Sequence, residues 1–136
     1  MSAQDNLATV RTIYEAFGTG DVDTILGHLT DDVEWATDGA TGVAPWHGVK
    51  HGRDEVASFF AGIAEAIDVS QFDIVAMAAT DDEVLTFIRF GFSAKGGGEP
   101  ASMNLHHYFR FRDGKIDYYR GGEDTALVAQ VLGARV

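Results

Sequence analysis

The sequence predicts an α+β fold in which helices pack on one face of a curved antiparallel sheet. Three observations lead there. Apolar residues recur at helical spacing in three segments of the N-terminal half, interrupted by one strand-like stretch. After them the period changes to that of strands separated by short turns. Helices followed by a run of strands indicate α+β. Finally, in "VLTFIRFGF" Val84, Ile88, Phe90 and Phe92 share one face, and Leu85 and Phe87 share the other with Arg89. Two apolar faces are unusual in an antiparallel sheet with one side in water. The helices can cover only one, so a second subunit is expected on the other, as a homodimer.

The elements follow in order. Ser2 and Asp5 approximate a capping box for a first helix, with Leu7, Val10, Tyr14 and Phe17 as its apolar stripe and Gly18 and Gly20 ending it. Asp21 caps a short second helix whose buried side is Val22, Ile25, Leu26 and Leu29. "DDVEWAT" reads as a strand with Val33 and Trp35 on one face. Gly39, Gly42, Pro45, Gly48 and Gly52 punctuate a loop. "GRDEVASFFAGIAEAID" is a third helix carrying Val56, Phe59, Phe60, Ile63 and Ile67. Strands "QFDIVAMAA" and "VLTFIRFGFSA" and a hairpin after "KGGGEP" come next, and "DTALVAQVL" closes as a helix. No repeat or linker interrupts residues 1–136, which read as one domain.

The 136 residues suffice for one core. A formal net charge of −11 opposes unspecific attraction to nucleic acid or anionic membranes. The absence of cysteine excludes disulfides, thiolate metal sites and cysteine nucleophiles. The N-terminal residues lack the pattern of a signal peptide, and no run approaches a membrane span, so a cytoplasmic location is expected.

Three stretches resemble one family. "YEAFGTGDVDTILGHLTDDVEW" is similar to the helix–helix–strand opening of the nuclear-transport-factor-2-like superfamily. "PWHGVKHGRDEVASFF" resembles its Gly-xxx-Gly-xxx-Val segment, and "HHYFRFRDGKIDYYRGGEDTALVAQ" its last hairpin and C-terminal segment. Within the superfamily, SnoaL-like polyketide cyclases and ketosteroid-isomerase-related proteins look nearest. The resemblance implies a cone-shaped (cystatin-like) sheet bent around the helices, with an apolar pocket at one end, usually in a dimer. The fold hosts several chemistries and binding-only members, so function must come from the site.

His107 is the first candidate. Met103, Leu105, His107, Phe109 and Phe111 alternate on one face of their strand, whereas Asn104, His106, Tyr108, Arg110 and Arg112 take the other. His107 is thus the single polar group on an apolar stripe and is expected to point inward, as a satisfied core histidine or as a site residue. The resemblance favours the site, because the matching position looks like the oxyanion-stabilising Asp of ketosteroid isomerases and a pocket His in the cyclases. A neutral imidazole there can donate a hydrogen bond to a developing enolate.

The facing strand has two registers. A two-residue Asp113-Gly114 turn puts Ile116, Tyr118 and Arg120 beside His107, and a three-residue loop puts Tyr119, Gly121 and Glu123 there. Hydrophobic pairing favours the first, the family's usual register the second. In that register Gly121 stands where the cyclases carry their acid/base Asp, Glu123 shares its face, and Asp124 reads first as a helix cap. The isomerase base falls around Thr37, with Asp38 one residue away, and its helix-one Tyr falls nearer Ile13 than Tyr14. Arg89 could bind an anionic ligand group. Tyr14, Trp35, Trp46, Phe60 and Phe87 could line an aromatic pocket, or simply fill the core.

No metal-ligand spacing or nucleotide motif occurs, and no cofactor is implied. Two functions remain. One is proton transfer beside a carbonyl in a small hydrophobic molecule (isomerisation, cyclisation or dehydration), with His107 polarising the oxygen and Asp38, Glu123 or Tyr119 moving the proton. The alternative is a small-molecule-binding or dimerisation module that kept the cone and lost its acids.

Overall fold

A computed structural model describes residues 2–40 and 42–133. The chain runs through α1 (Ala3–Thr19), α2 (Val22–Gly27), β1 (Leu29–Thr37), β2 (Gly48–His51), α3 (Gly52–Ala66), β3 (Ile67–Ala79), β4 (Glu83–Ala94), β5 (Ala101–Arg112), β6 (Lys115–Gly122) and α4 (Thr125–Leu132). The strands form one six-stranded sheet in the order β2-β1-β6-β5-β4-β3. The architecture is the expected α+β one, with the N-terminal helices held against a curved sheet.

Local chemistry explains the helix ends. Ser2 and Asp5 form the reciprocal capping box, and Gly20 closes α1 in the left-handed conformation at φ 73°. Asp21 caps α2, and Asp124 caps α4 by accepting from Leu127 N. Asn6, absent from the apolar stripe, is fully buried; its amide donates to the backbone oxygens of Thr80 and Asp81 at 3.3 and 2.9 Å. It ties the start of α1 to the β3–β4 turn.

Several expectations need correction. Leu29 belongs to β1, not to the second helix, because α2 stops at Gly27. Ile67 begins β3 instead of ending the third helix. The glycine-rich loop contains a short strand, β2, paired antiparallel with the end of β1. The strands are also not all antiparallel, since β1 and β6 pair in parallel.

Both registers proposed for the last hairpin are half right. Asp113 (φ 52°) and Gly114 (φ 80°) make a two-residue turn, with Arg112 opposite Lys115 and Phe111 opposite Ile116. Between Arg110 and Phe111 the register shifts, so Arg110 faces Tyr118 and Asp117 is the extra residue of a bulge. Beyond it, Phe109 faces Tyr119 and His107 faces Gly121. The turn is that of the first alternative, the pairing that of the second. On the outer face Arg110 holds the Asp117 carboxylate (Nε to Oδ1 3.0 Å, Nη2 to Oδ2 3.3 Å) and lies over the Tyr118 ring. Two further register shifts bend β3, after Val69 and after Ile74.

The concave face carries Val33, Val84, Ile88, Phe92, Phe109 and Ile116, all nearly inaccessible, against Val10 and Ile13 of α1 and Val56 of α3. On the convex face Leu85 is 52% exposed, and Phe87 lies 5.2 Å from His106, centroid to centroid. Strand β4 is apolar on both sides. No helix among the described residues is long and apolar enough to cross a membrane.

Candidate active site

Between α1, α3 and the concave face is a cavity of about 80 Å³. Its wall is mostly aromatic. Trp35 stacks on Tyr119 with centroids 4.0 Å apart and meets Phe59 and Phe60 at 5.8 Å each. Polar side chains reach it from several directions: Tyr14 from α1, Thr37 from the end of β1, Trp46 from the β1–β2 loop, His107 from β5, and Tyr119 and Glu123 from β6 and the residue after it.

The first polar group is a chain of three. His107 Nδ1 lies 2.7 Å from Tyr14 Oη, which lies 2.7 Å from Thr86 Oγ1. Thr86 faces His107 across β4–β5, so sheet register sets two members and α1 supplies the third. Burial lowers the His107 pKa to about 3, the nearby His106 acting in the same sense, so the ring is neutral. Burial raises the Tyr14 phenol well beyond its ordinary value, which keeps its proton. A neutral ring bears one N–H and one lone pair. If Tyr14 donates to Nδ1, Nε2 carries the hydrogen; if Nδ1 donates to Tyr14, Nε2 carries the lone pair. Reversing the hydroxyl chain converts Nε2 from donor to acceptor.

The second group is Tyr119. Burial pushes its phenol well up, Tyr14 and Glu123 adding to the effect, so it too is a proton-bearing donor. Its position explains Gly121. A Cβ built on Gly121 would collide with Tyr119 Oη. The Tyr119 hydroxyl thus fills the space that a side chain at 121 would enter, and only glycine fits there without moving the ring.

The third group holds Glu123. Trp46 Nε1 donates to both carboxylate oxygens, at 3.1 and 3.2 Å, and His47 Nε2 lies 3.1 Å from Oε2. The His47 and Glu123 side chains are 1% and 8% exposed. A carboxylate only accepts, so the contact is a donation from His47 Nε2–H, while His47 Nδ1 is buried without a partner. Gly39 makes this possible, because a Cβ there would overlap the imidazole. Gly62 of α3 similarly admits Pro45 from the same loop. Two donors orient the carboxylate, and Oε1 accepts from Trp46 alone. It therefore retains acceptor capacity.

The structure brings His107, Glu123 and Tyr119 to one cavity, with Tyr14, Trp35, Trp46 and Phe60 in its wall. It does not bring Asp38, Phe87 or Arg89. At the end of β1, Thr37 faces in and Asp38 faces out. The Asp38 side chain is 61% exposed and accepts from Arg120 at 2.7 and 2.9 Å. Phe87 and Arg89 alternate with the inward residues of β4 and so lie on the convex face, where Arg89 donates to Asn104 Oδ1 at 3.0 Å. Sequence reasoning missed His47, Thr37 and Thr86 as site residues. The bond between His47 and Glu123 spans 76 residues and has no local signal. Thr86 had one, as the hydroxyl interrupting the inward apolar face of β4.

The family model for the SnoaL-like domain matches residues 10–119, and the chain belongs to that family. Among solved structures it is similar to an NTF2-like protein from Burkholderia pseudomallei, at 27% identity and a TM-score of 0.88, covering 98% of this chain and 100% of that one. It shares its fold with TerC, co-crystallized with polyporic acid (21% identity, TM-score 0.85, 96% and 99% covered). The fold is also that of an LEH-like epoxide hydrolase from M. tuberculosis (18% identity, TM-score 0.73, 96% and 90% covered). No curated protein matches the sequence.

Two measurements check this geometry. Gly121→Ala is expected to cost about 1–3 kcal/mol in urea unfolding by displacing Tyr119. At Gly122 a Cβ would meet nothing closer than His106 O at 3.9 Å, so Gly122→Ala should stay within about 0.5 kcal/mol. The buried imidazole also gives a pH signature. Its folded pKa lies below its unfolded value, so the unfolded chain takes the proton first. The stability His107 contributes is complete above about pH 6.5 and is lost as pH falls toward about 3. Between pH 6.5 and 5, the slope it adds approaches about 1.4 kcal/mol per pH unit. His107→Asn should flatten that slope.

Proposed function

We propose that the protein catalyses proton transfer beside a carbonyl in a small, largely apolar molecule, the outcome being isomerisation, cyclisation or dehydration. One observation carries this reading. A neutral imidazole, a protonated phenol and an oriented carboxylate line a single apolar cavity. Family membership supports it.

Isomerisation would begin and end at one carboxylate oxygen. Glu123 Oε1 takes the proton from the carbon next to the carbonyl. The C–H electron pair forms a C=C bond, and the carbonyl π electrons move to oxygen as an enolate. His107 Nε2–H, with the Tyr119 hydroxyl, hydrogen-bonds that oxygen in a water-poor site, where such bonds act most strongly. Glu123 then returns the proton to a carbon further along the conjugated system. Trp46 and His47 hold the carboxylate still throughout, which is the positioning that makes proton transfer efficient.

Thermal-shift screening of carbonyl-bearing terpenoids, aromatic polyketides and polyporic acid identifies ligands, and deuterium uptake from D2O at the carbon beside the carbonyl reports the chemistry. Glu123→Gln should reduce exchange by about 10²–10⁴-fold while ligand affinity stays nearly unchanged. Bound ligand that never exchanges with the wild-type protein would mark it as a binding module instead.

We also propose that a second copy covers the convex face around Leu85 and Phe87, since β4 is apolar on both sides. Sedimentation velocity should show a dimer, and Leu85→Lys should convert it to monomer.

A further inference from the structure

The cavity has a polar end and an apolar end. Glu123, Trp46 and Tyr119 belong to the β1–β6 side of the sheet, whereas Ile67 and Phe72 lie on β3 at the opposite edge. On that apolar side the wall is shared. Tyr14, Phe17, Phe60, Ile63, Ile67 and Phe72 also border an open groove of about 690 Å³ between the end of α1, α2, α3 and the start of β3. Phe17 and Phe72 are only partly buried and stand 5.7 Å apart, with Phe60 6.1 Å from Phe17. These rings form the partition between cavity and groove.

The groove has a chemistry of its own. No charged side chain borders it among the described residues. Its one polar residue, Tyr14, has its hydroxyl engaged by Thr86 and His107. Ala57, Ala61 and Ala64 of α3 face it opposite Gly18 and Gly20, so side chains that would fill the channel are absent. Hydrogen-bonding groups, a shared wall of aromatic rings and an aliphatic channel thus follow one another across the molecule.

We propose that the ligand is elongated, with a carbonyl head in the cavity against His107 and an aliphatic tail that passes Phe17 and Phe72 into this groove. The substrate class is then a carbonyl compound bearing an alkyl chain, longer than the cavity alone would hold. The inference rests on the inner cavity being the carbonyl site. The six side chains common to both walls, with Phe17 and Phe72 only partly buried, favour the tail of the same molecule over a separate partner as the occupant.

Straight-chain methyl ketones from 2-hexanone to 2-tetradecanone test it, with affinities measured by calorimetry on the wild-type protein and on Ala61→Phe. Ala61 is exposed on α3, so the added ring obstructs the groove without entering the core. In the wild type, affinity should rise by about fourfold per methylene over several carbons. In Ala61→Phe the short ketones should bind as before, and the rise should stop early. Short ketones that bind with no gain on lengthening would overturn the groove while sparing the carbonyl site. So would long-chain affinity that ignores Ala61→Phe. Failure of every ketone, short ones included, would overturn both.

Discussion

The extra residue in β6, Asp117, decides which side chains of the last hairpin see the interior. A strand alternates its faces with period two, so one inserted residue exchanges inside for outside along everything beyond it. With the bulge, Tyr119 and Gly121 face inward opposite Phe109 and His107. Without it, the Asp113-Gly114 turn would bring Tyr118 and Arg120 to the concave face, and a guanidinium would stand in an aromatic core. Burying that charge unpaired costs far more than one irregularity in a ladder. The bulge is also held from outside, through the Asp117 carboxylate on Arg110. A surface ion pair and the composition of the cavity are two faces of one register.

Given that register, the cavity separates its polar groups by what each can satisfy. His107, Tyr14 and Thr86 satisfy one another in a neutral chain. Glu123 keeps its place through donors from a loop that glycine alone allows to close so tightly. Both arrangements are built from protein groups that hold one another in place beneath the aromatic rings, with His47 Nδ1 left unpaired. Apolar surroundings make each such bond count more for a developing charge than it would in solvent.

Much of this was legible in the sequence, for identifiable reasons. The helices announced themselves through caps and spacing, and the inward face of β5 through strict alternation around His107. Phe87 and Arg89 show the limit of composition: as residue types they suited a ligand site, but their place in the alternation put them outside. Asp38 failed by one position, where Thr37 points inward. The bulge left no signature beyond two acceptable turns in conflict, and it settled that conflict by granting each half its preference. His47 was invisible because its partner is remote in the chain. Gly121 was visible only as a missing acid; its reason, the Tyr119 hydroxyl, lies two residues earlier on the same strand and depends on a ring position that no pattern encodes.

The parallel pairing of β1 with β6 has a consequence for biosynthesis. It joins Trp35 to Tyr119 and Thr37 to Gly121, so strands from opposite ends of the sequence complete the enclosure. A chain emerging from the ribosome can form α1, α3 and the β3–β4 hairpin early, but the first strand must wait for the last before the sheet closes. Contacts so distant are slow to form. Until then the apolar lining lies open to solvent, the condition under which incompletely folded chains associate.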